Sequence, residues 1–151
     1  MIVGFRIDSR LIPEKKFLTY SKLESSFDMT PYGDHTDFTV ILNYLELSAD
    51  EEGRICHIDG YCPMESWKDA SFTVPESKKG SLIVNPQLES GRSYRLNPNG
   101  DWSVYKNKAT GWICIGSLQF EGDSVEFLDN CIAVLTQGQL ISIYLMPKFT
   151  Q

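Results

Sequence analysis

Residues 37–61 read DFTVILNYLELSADEEGRICHIDGY, and the fold class turns on this stretch. Residues 37–47 are a long, strongly apolar run rich in the β-branched and aromatic residues that fit a pleated sheet. Asp50-Glu51-Glu52-Gly53 then gathers turn formers, and residues 54–61 return as a second run. This order predicts a β-hairpin over 37–61.

The rest of the chain repeats that chemistry. Its 151 residues include 7 Val, 12 Ile, 8 Thr and 18 aromatics against only 4 Ala, a balance that favours strands over helices. Residues 2–8 and 81–85 read as short strands. Residues 93–96 and 102–105 flank Asn97-Pro98-Asn99-Gly100-Asp101, where Pro fixes φ and Asn-Gly supplies positive φ, so a hairpin is expected there. Residues 112–116, 124–127, 130–135 and 139–146 alternate with turn signals and predict an antiparallel meander. In the last of these, Ile141, Ile143 and Leu145 are expected on one face. Leu140, Tyr144 and Met146 fall on the other, around Ser142.

One segment reads as helix. Pro13 suits a first helical position, and Phe17, Tyr20, Leu23 and Phe27 recur at three- and four-residue spacing. A strand over 17–23 is the competing assignment. Residues 63–80 read mostly as loop, with a turn of helix at 64–70. The expected architecture is a single domain over residues 1–151 of mainly β (α+β) class, an antiparallel sheet or meander with one N-terminal helix packed on it. A chain of this length buries enough surface to need no metal or disulfide.

Charge narrows the function. The net charge is −6, from 14 Lys+Arg and 20 Asp+Glu. That balance argues against a general nucleic-acid binder and against a membrane-surface protein. No run reaches the roughly 18 apolar residues of a membrane span, and residues 1–8 carry charges where a secretory signal needs its apolar core. The expected location is the cytoplasm, with Cys56, Cys62, Cys114 and Cys131 as free thiols and Cys114 and Cys131 buried in strands. The charge is also unevenly placed. Residues 24–76 carry −10, whereas 1–23 carry +3 and 77–151 carry +1.

No phosphate loop, nucleophile elbow, zinc-protease or Cys-x-x-Cys signature is present. His35, set between Asp34 and Asp37, has the residue types for a metal ligand or a carboxylate-steadied base, but also those of a polar turn. Cys56, His57 and Cys62 would meet only if Asp59-Gly60 made a tight turn, and a continuous strand over 54–61 would separate them. The acidic segment also offers ligands for a cation such as Ca²⁺, without an EF-hand loop. Trp102 and Trp112 read as structural, and Trp67 as an exposed aromatic.

Gly111-Trp112-Ile113-Cys114-Ile115-Gly116, Val125-Glu126-Phe127-Leu128 and Leu140-Ile141-Ser142-Ile143-Tyr144-Leu145-Met146-Pro147 together resemble the C-terminal part of small bacterial proteins. These include proteins of unknown function and some immunity proteins of toxin-delivery systems. The resemblance covers residues 112–147, implies a role in binding and blocking a toxin, and transfers no site residue.

The expectation is therefore a non-enzymatic protein-binding domain. Asp34, Asp37, Asp50, Glu51, Glu52 and Asp59 would form an acidic face for a basic protein, and Tyr32, Tyr61 and Trp67 would anchor it. Neither cofactor nor metal is assigned, and neither nucleic acid nor membrane is an expected partner. Two alternatives stand beside it. One is a small-ligand or carbohydrate-binding β domain using Trp67, Tyr61 and Tyr105. The other is an enzyme using His35 or the Cys56/His57/Cys62 group.

Overall fold

A computed structural model describes residues 3–32, 36–119 and 121–151. The mainly β class holds, and the chain folds into two seven-stranded sheets and a two-stranded ribbon. In the first sheet, β2 (Phe17–Ser21) and β3 (Ser26–Thr30) form a hairpin. It joins the meander of β4 (Phe38–Leu42), β5 (Leu45–Ala49) and β6 (Ile55–Tyr61). Short strands β10 (Ser93–Arg95) and β16 (Lys148–Thr150) close its two edges, giving the order β10-β4-β5-β6-β3-β2-β16.

The second sheet is built on β11 (Val104–Lys106), β12 (Ile113–Gly116), β13 (Asp123–Leu128), β14 (Cys131–Thr136) and β15 (Gln139–Leu145). Two-residue strands β7 (Lys68–Asp69) and β8 (Lys78–Lys79) form its edges. The ribbon pairs β1 (Phe5–Asp8) with β9 (Ser81–Val84). The core is shared. Tyr20, Phe27, Leu47 and Ile58 of the first sheet belong to the same buried cluster as Ile115, Phe127, Leu135 and Ile143 of the second. The outer face of the second sheet is also covered, by Phe72 and Val74 packed on Cys114, Val134 and Tyr144.

The N-terminal helix is not formed, and the described residues contain no α-helix. Residues 17–30 make the β2–β3 hairpin instead. Its core residues are Leu18 and Tyr20 on one strand and Phe27 and Met29 on the other, a period of two. Phe17 and Leu23, which completed the helical spacing, are exposed. Residues 64–66 make a single 3₁₀ turn, within the predicted 64–70.

The predicted strand over 37–47 is two strands. Asn43 and Tyr44 form a two-residue turn between them, with Leu42 opposite Leu45 and Asn43 at φ 57°. The hairpin expected around residues 97–101 is likewise absent. β10 pairs in parallel with β4 of the first sheet, while β11 belongs to the second, so this segment crosses between sheets. Its anchor is Asn43, whose side chain bonds Trp102 and Asn97.

The C-terminal meander is formed only by β13, β14 and β15. β12 passes over to pair with β15, which gives a Greek-key order. A bulge at Ile141 lets Leu140, Ile143 and Leu145 all reach the shared core, so the face predicted for Ile141 is reversed and it packs on the outer cluster. The four cysteines are unpaired, with Cys114 and Cys131 fully buried.

Candidate functional site

The first sheet turns its outer face to solvent, and one row across it breaks the usual rule for sheets. Glu46 of β5 lies directly opposite Asp59 of β6. On the other side of β6, Phe27 pairs with Gly60, and one residue further in that register Asp28 lies beside Asp59. Three carboxylates thus stand side by side on neighbouring strands. Like charges in that position destabilise a sheet, and none of the three is paired with Lys or Arg among the described residues. Burial, then the Asp59 charge, raises the pKa of Glu46.

His57 sits behind this row. It shares a face with Asp59, two residues along the strand, and β6 carries a bulge just before it. Ser48 is opposite His57 while Ala49 is opposite Ile55, which leaves Cys56 as the extra residue. The insertion resets the alternation, so Ile55 and Ile58 both enter the core and His57 points outward. Its side chain is nonetheless only 8% exposed, covered in part by Tyr32, whose ring centroid lies 5.6 Å away. Nε2 is 3.8 Å from both Asp28 Oδ1 and Asp59 Oδ2.

These three side chains place their ligand atoms within 4.8 Å of one another, the spacing of a metal site. The other ring nitrogen argues against that use. Nδ1 lies 3.4 Å from the Lys16 ammonium, which can only donate. Nδ1 is then the acceptor and Nε2 carries the ring proton, aimed between the carboxylates. A metal-bound histidine has the reverse arrangement, with its free nitrogen donating to an acceptor. As built, the cluster suits an organic cation that meets the carboxylates directly.

Exposed tyrosines ring the row. The Tyr32 hydroxyl donates to Asp28 Oδ2 at 2.7 Å, and Tyr44 and Tyr61 stack edge-to-face at 6.1 Å. A shallow cavity of about 370 Å³ opens between Asp28, Glu46, Asp59, Tyr32 and Tyr61.

The sequence-predicted residues therefore separate. Asp59, Tyr32 and Tyr61 meet on this face. Asp50, Glu51 and Glu52 lie in the β5–β6 turn, several residues along the strand from Asp59, and Asp37 lies just before β4 near the same end. Asp34 and His35 fall outside the described residues. Trp67 is not presented to a partner, since it packs against Tyr20 and Phe27 of the core.

Cys56 lies near the start of β6 and Cys62 just past its end, about 20 Å apart at the usual rise. Cys56 donates to Ser48 O, and Cys62 accepts from the Trp67 indole N–H. Burial raises the Cys62 thiol to about 11. Tyr105 lies on the second sheet under Lys68, apart from the Tyr61–Tyr44 pair. Asp28, Glu46 and Tyr44 were missed. Their signal was the pairing of strands, which a linear reading that merges β4 and β5 cannot register.

Asp50 has a structural task. Its carboxylate accepts the backbone N–H of Glu52 and Arg54 at 2.9 and 3.0 Å and the Arg54 Nε–H at 3.1 Å. Asp50→Ala is expected to cost about 1–2 kcal/mol of stability, read as a lower urea midpoint, with Asp50→Asn recovering part of it. An unchanged midpoint would remove Asp50 from the turn's support.

His57 makes stability depend on pH. Burial first, and the Lys16 ammonium second, push its pKa below the ordinary value, against the smaller pull of Asp59 and Asp28. The unfolded chain takes up a proton near pH 6.5 before the folded one does. Stability therefore falls as pH drops through 6.5 towards the depressed folded value, and levels below it. Chemical denaturation between pH 7.5 and 5.5 should show this slope, reduced in His57→Gln. An equal slope in both proteins would show that His57 is not its source.

No protein-family model matches this chain, and no curated protein matches it either.

Proposed function

We propose that this is a protein-binding domain that docks a basic partner on the outer face of the first sheet. The observation that carries this reading is the row Asp28, Asp59 and Glu46, set in register with no Lys or Arg pairing it among the described residues. A local choice that costs stability is where function is to be sought. A guanidinium or ammonium group from a partner would relieve the repulsion. Tyr32, Tyr44 and Tyr61 supply rigid aromatic contacts around it, the residue type that dominates protein interfaces. The concrete form of the reading is an immunity protein that neutralises a toxin by covering a basic surface, which the resemblance over residues 112–147 supports.

An NMR titration with an arginine-rich decapeptide tests the face. Amide shifts should centre on Asp28, Glu46, Asp59 and Tyr61, fade with added salt, and weaken about a hundredfold in affinity when all three acids are made Asn or Gln. Shifts spread evenly over the surface, or centred on the Glu51-Glu52 turn, would reject this face. Capture from native lysate at low and high salt, with the triple variant as control, then identifies the partner.

A further inference from the structure

On the far side of His57 from the acidic row, a second cavity of about 350 Å³ opens between the segment before β2 and the start of β6. Pro13, Pro31, Ile55 and Leu128 give it one apolar wall, and the charged side chains of Lys16, Arg54, Asp50 and Glu14 line the rest together with Tyr32 and Cys56. Lys16 is 97% buried, yet no carboxylate lies within 4 Å of its ammonium among the described residues. Among the described residues its one hydrogen-bonding neighbour is Nδ1 of His57, which satisfies a single N–H. Buried charges are normally paired, because an uncompensated one is costly.

Among the described residues, the two acids that line the cavity do not meet that need. Asp50 is committed to Arg54 and the β5–β6 turn, and Glu14 is exposed at the rim.

We propose that this cavity binds a small organic carboxylate, with the anion on the Lys16 ammonium and an apolar body against Pro13, Pro31, Ile55 and Leu128. An apolar wall beside placed polar groups can orient a small molecule, and the volume lies at the lower end of the usual range for such sites. The site adjoins the acidic face, since Tyr32 lines both cavities, but its occupancy does not depend on a protein partner.

Benzoate and its neutral isostere benzamide separate charge recognition from cavity filling. Benzoate should bind in a calorimetric titration, benzamide should bind roughly tenfold or more weakly, and Lys16→Met should lose that preference. In ¹⁵N-labelled protein, benzoate should shift the Lys16 ammonium and the His57 Nδ1 resonances. The NMR experiment needs no variant, so it decides the matter even if Lys16→Met fails to fold. Equal affinity for benzoate and benzamide, no binding of benzoate at 10 mM (about 100-fold above a weak-ligand Kd), or an unmoved Lys16 signal would each overturn the proposal.

Discussion

Gly60→Ala is expected to lower stability by about 3 kcal/mol, which at this chain length shifts Tm by roughly 6–12 °C. Gly60 lies between Asp59 and Tyr61, opposite Leu45 on one side and Phe27 on the other. Its φ is +132°, and a Cβ there would sit 2.5 Å from the Tyr44 carbonyl oxygen and 3.1 Å from the Leu45 Cα. Both neighbours are backbone, so relief requires β5 to move away from β6. The backbone conformation contributes about 1–2 kcal/mol and the crowding about 1–3. Gly100 separates the two contributions. It has φ +136° with no atom within 4 Å of a Cβ, so Gly100→Ala should cost only the first. Equal losses at the two positions would show that crowding against β5 plays no part. The affected strand pair is the one that sets Glu46 against Asp59, so the Gly60 variant should also weaken peptide binding more than its remaining folded fraction explains.

Asn43→Ala should cost a similar amount, about 3 kcal/mol, for a different reason. The Asn43 side chain accepts the Trp102 N–H at 2.9 Å and an Asn97 side-chain N–H at 2.6 Å, and donates to the Trp102 carbonyl at 3.0 Å. Asn97 is itself buried, so truncation leaves polar groups without partners, at about 1–3 kcal/mol each. Alanine also tolerates φ 57° poorly. Asn43→Gly keeps the turn and removes only the hydrogen bonds. If the Gly variant were as stable as the wild type, the side-chain contacts to the crossing segment would carry no weight. Differential scanning calorimetry on the three proteins distinguishes the contributions.

These two residues also mark how far a linear reading reaches. The β class was legible because Val, Ile, Thr and aromatics outnumber Ala so heavily, and the turn at residues 50–53 because Asp50 and Gly53 are local turn formers. Asn43 was overlooked inside an apolar run, although Asn is disfavoured within strands. Its partners, Asn97 and Trp102, lie more than fifty residues away. The helix assigned after Pro13 failed because Tyr20 and Phe27 suit a helical spacing by coincidence, while Leu18 and Met29 carry the real alternation. Of the candidate site, Asp59, Tyr32 and Tyr61 were legible as acids and aromatics in an acidic segment. That Asp28 and Glu46 flank Asp59 depends on which strands pair, and the Cys56 bulge decides which way His57 points. Neither is written in any local pattern.

The edges of the two sheets have a consequence for how the molecule meets others. All four outermost strands, β10, β16, β7 and β8, are two or three residues long, and all four pair in parallel with their neighbours. Each carries a cation, namely Arg95, Lys148, Lys68, or Lys78 with Lys79. Such margins give an incoming chain too few free backbone groups to zip onto, and their charges repel a second copy. The protein is thereby shielded from fibril growth and strand exchange at these margins, and a peptide cannot be captured there by backbone pairing. Contact at these margins is left to side chains on strands whose backbone is already paired.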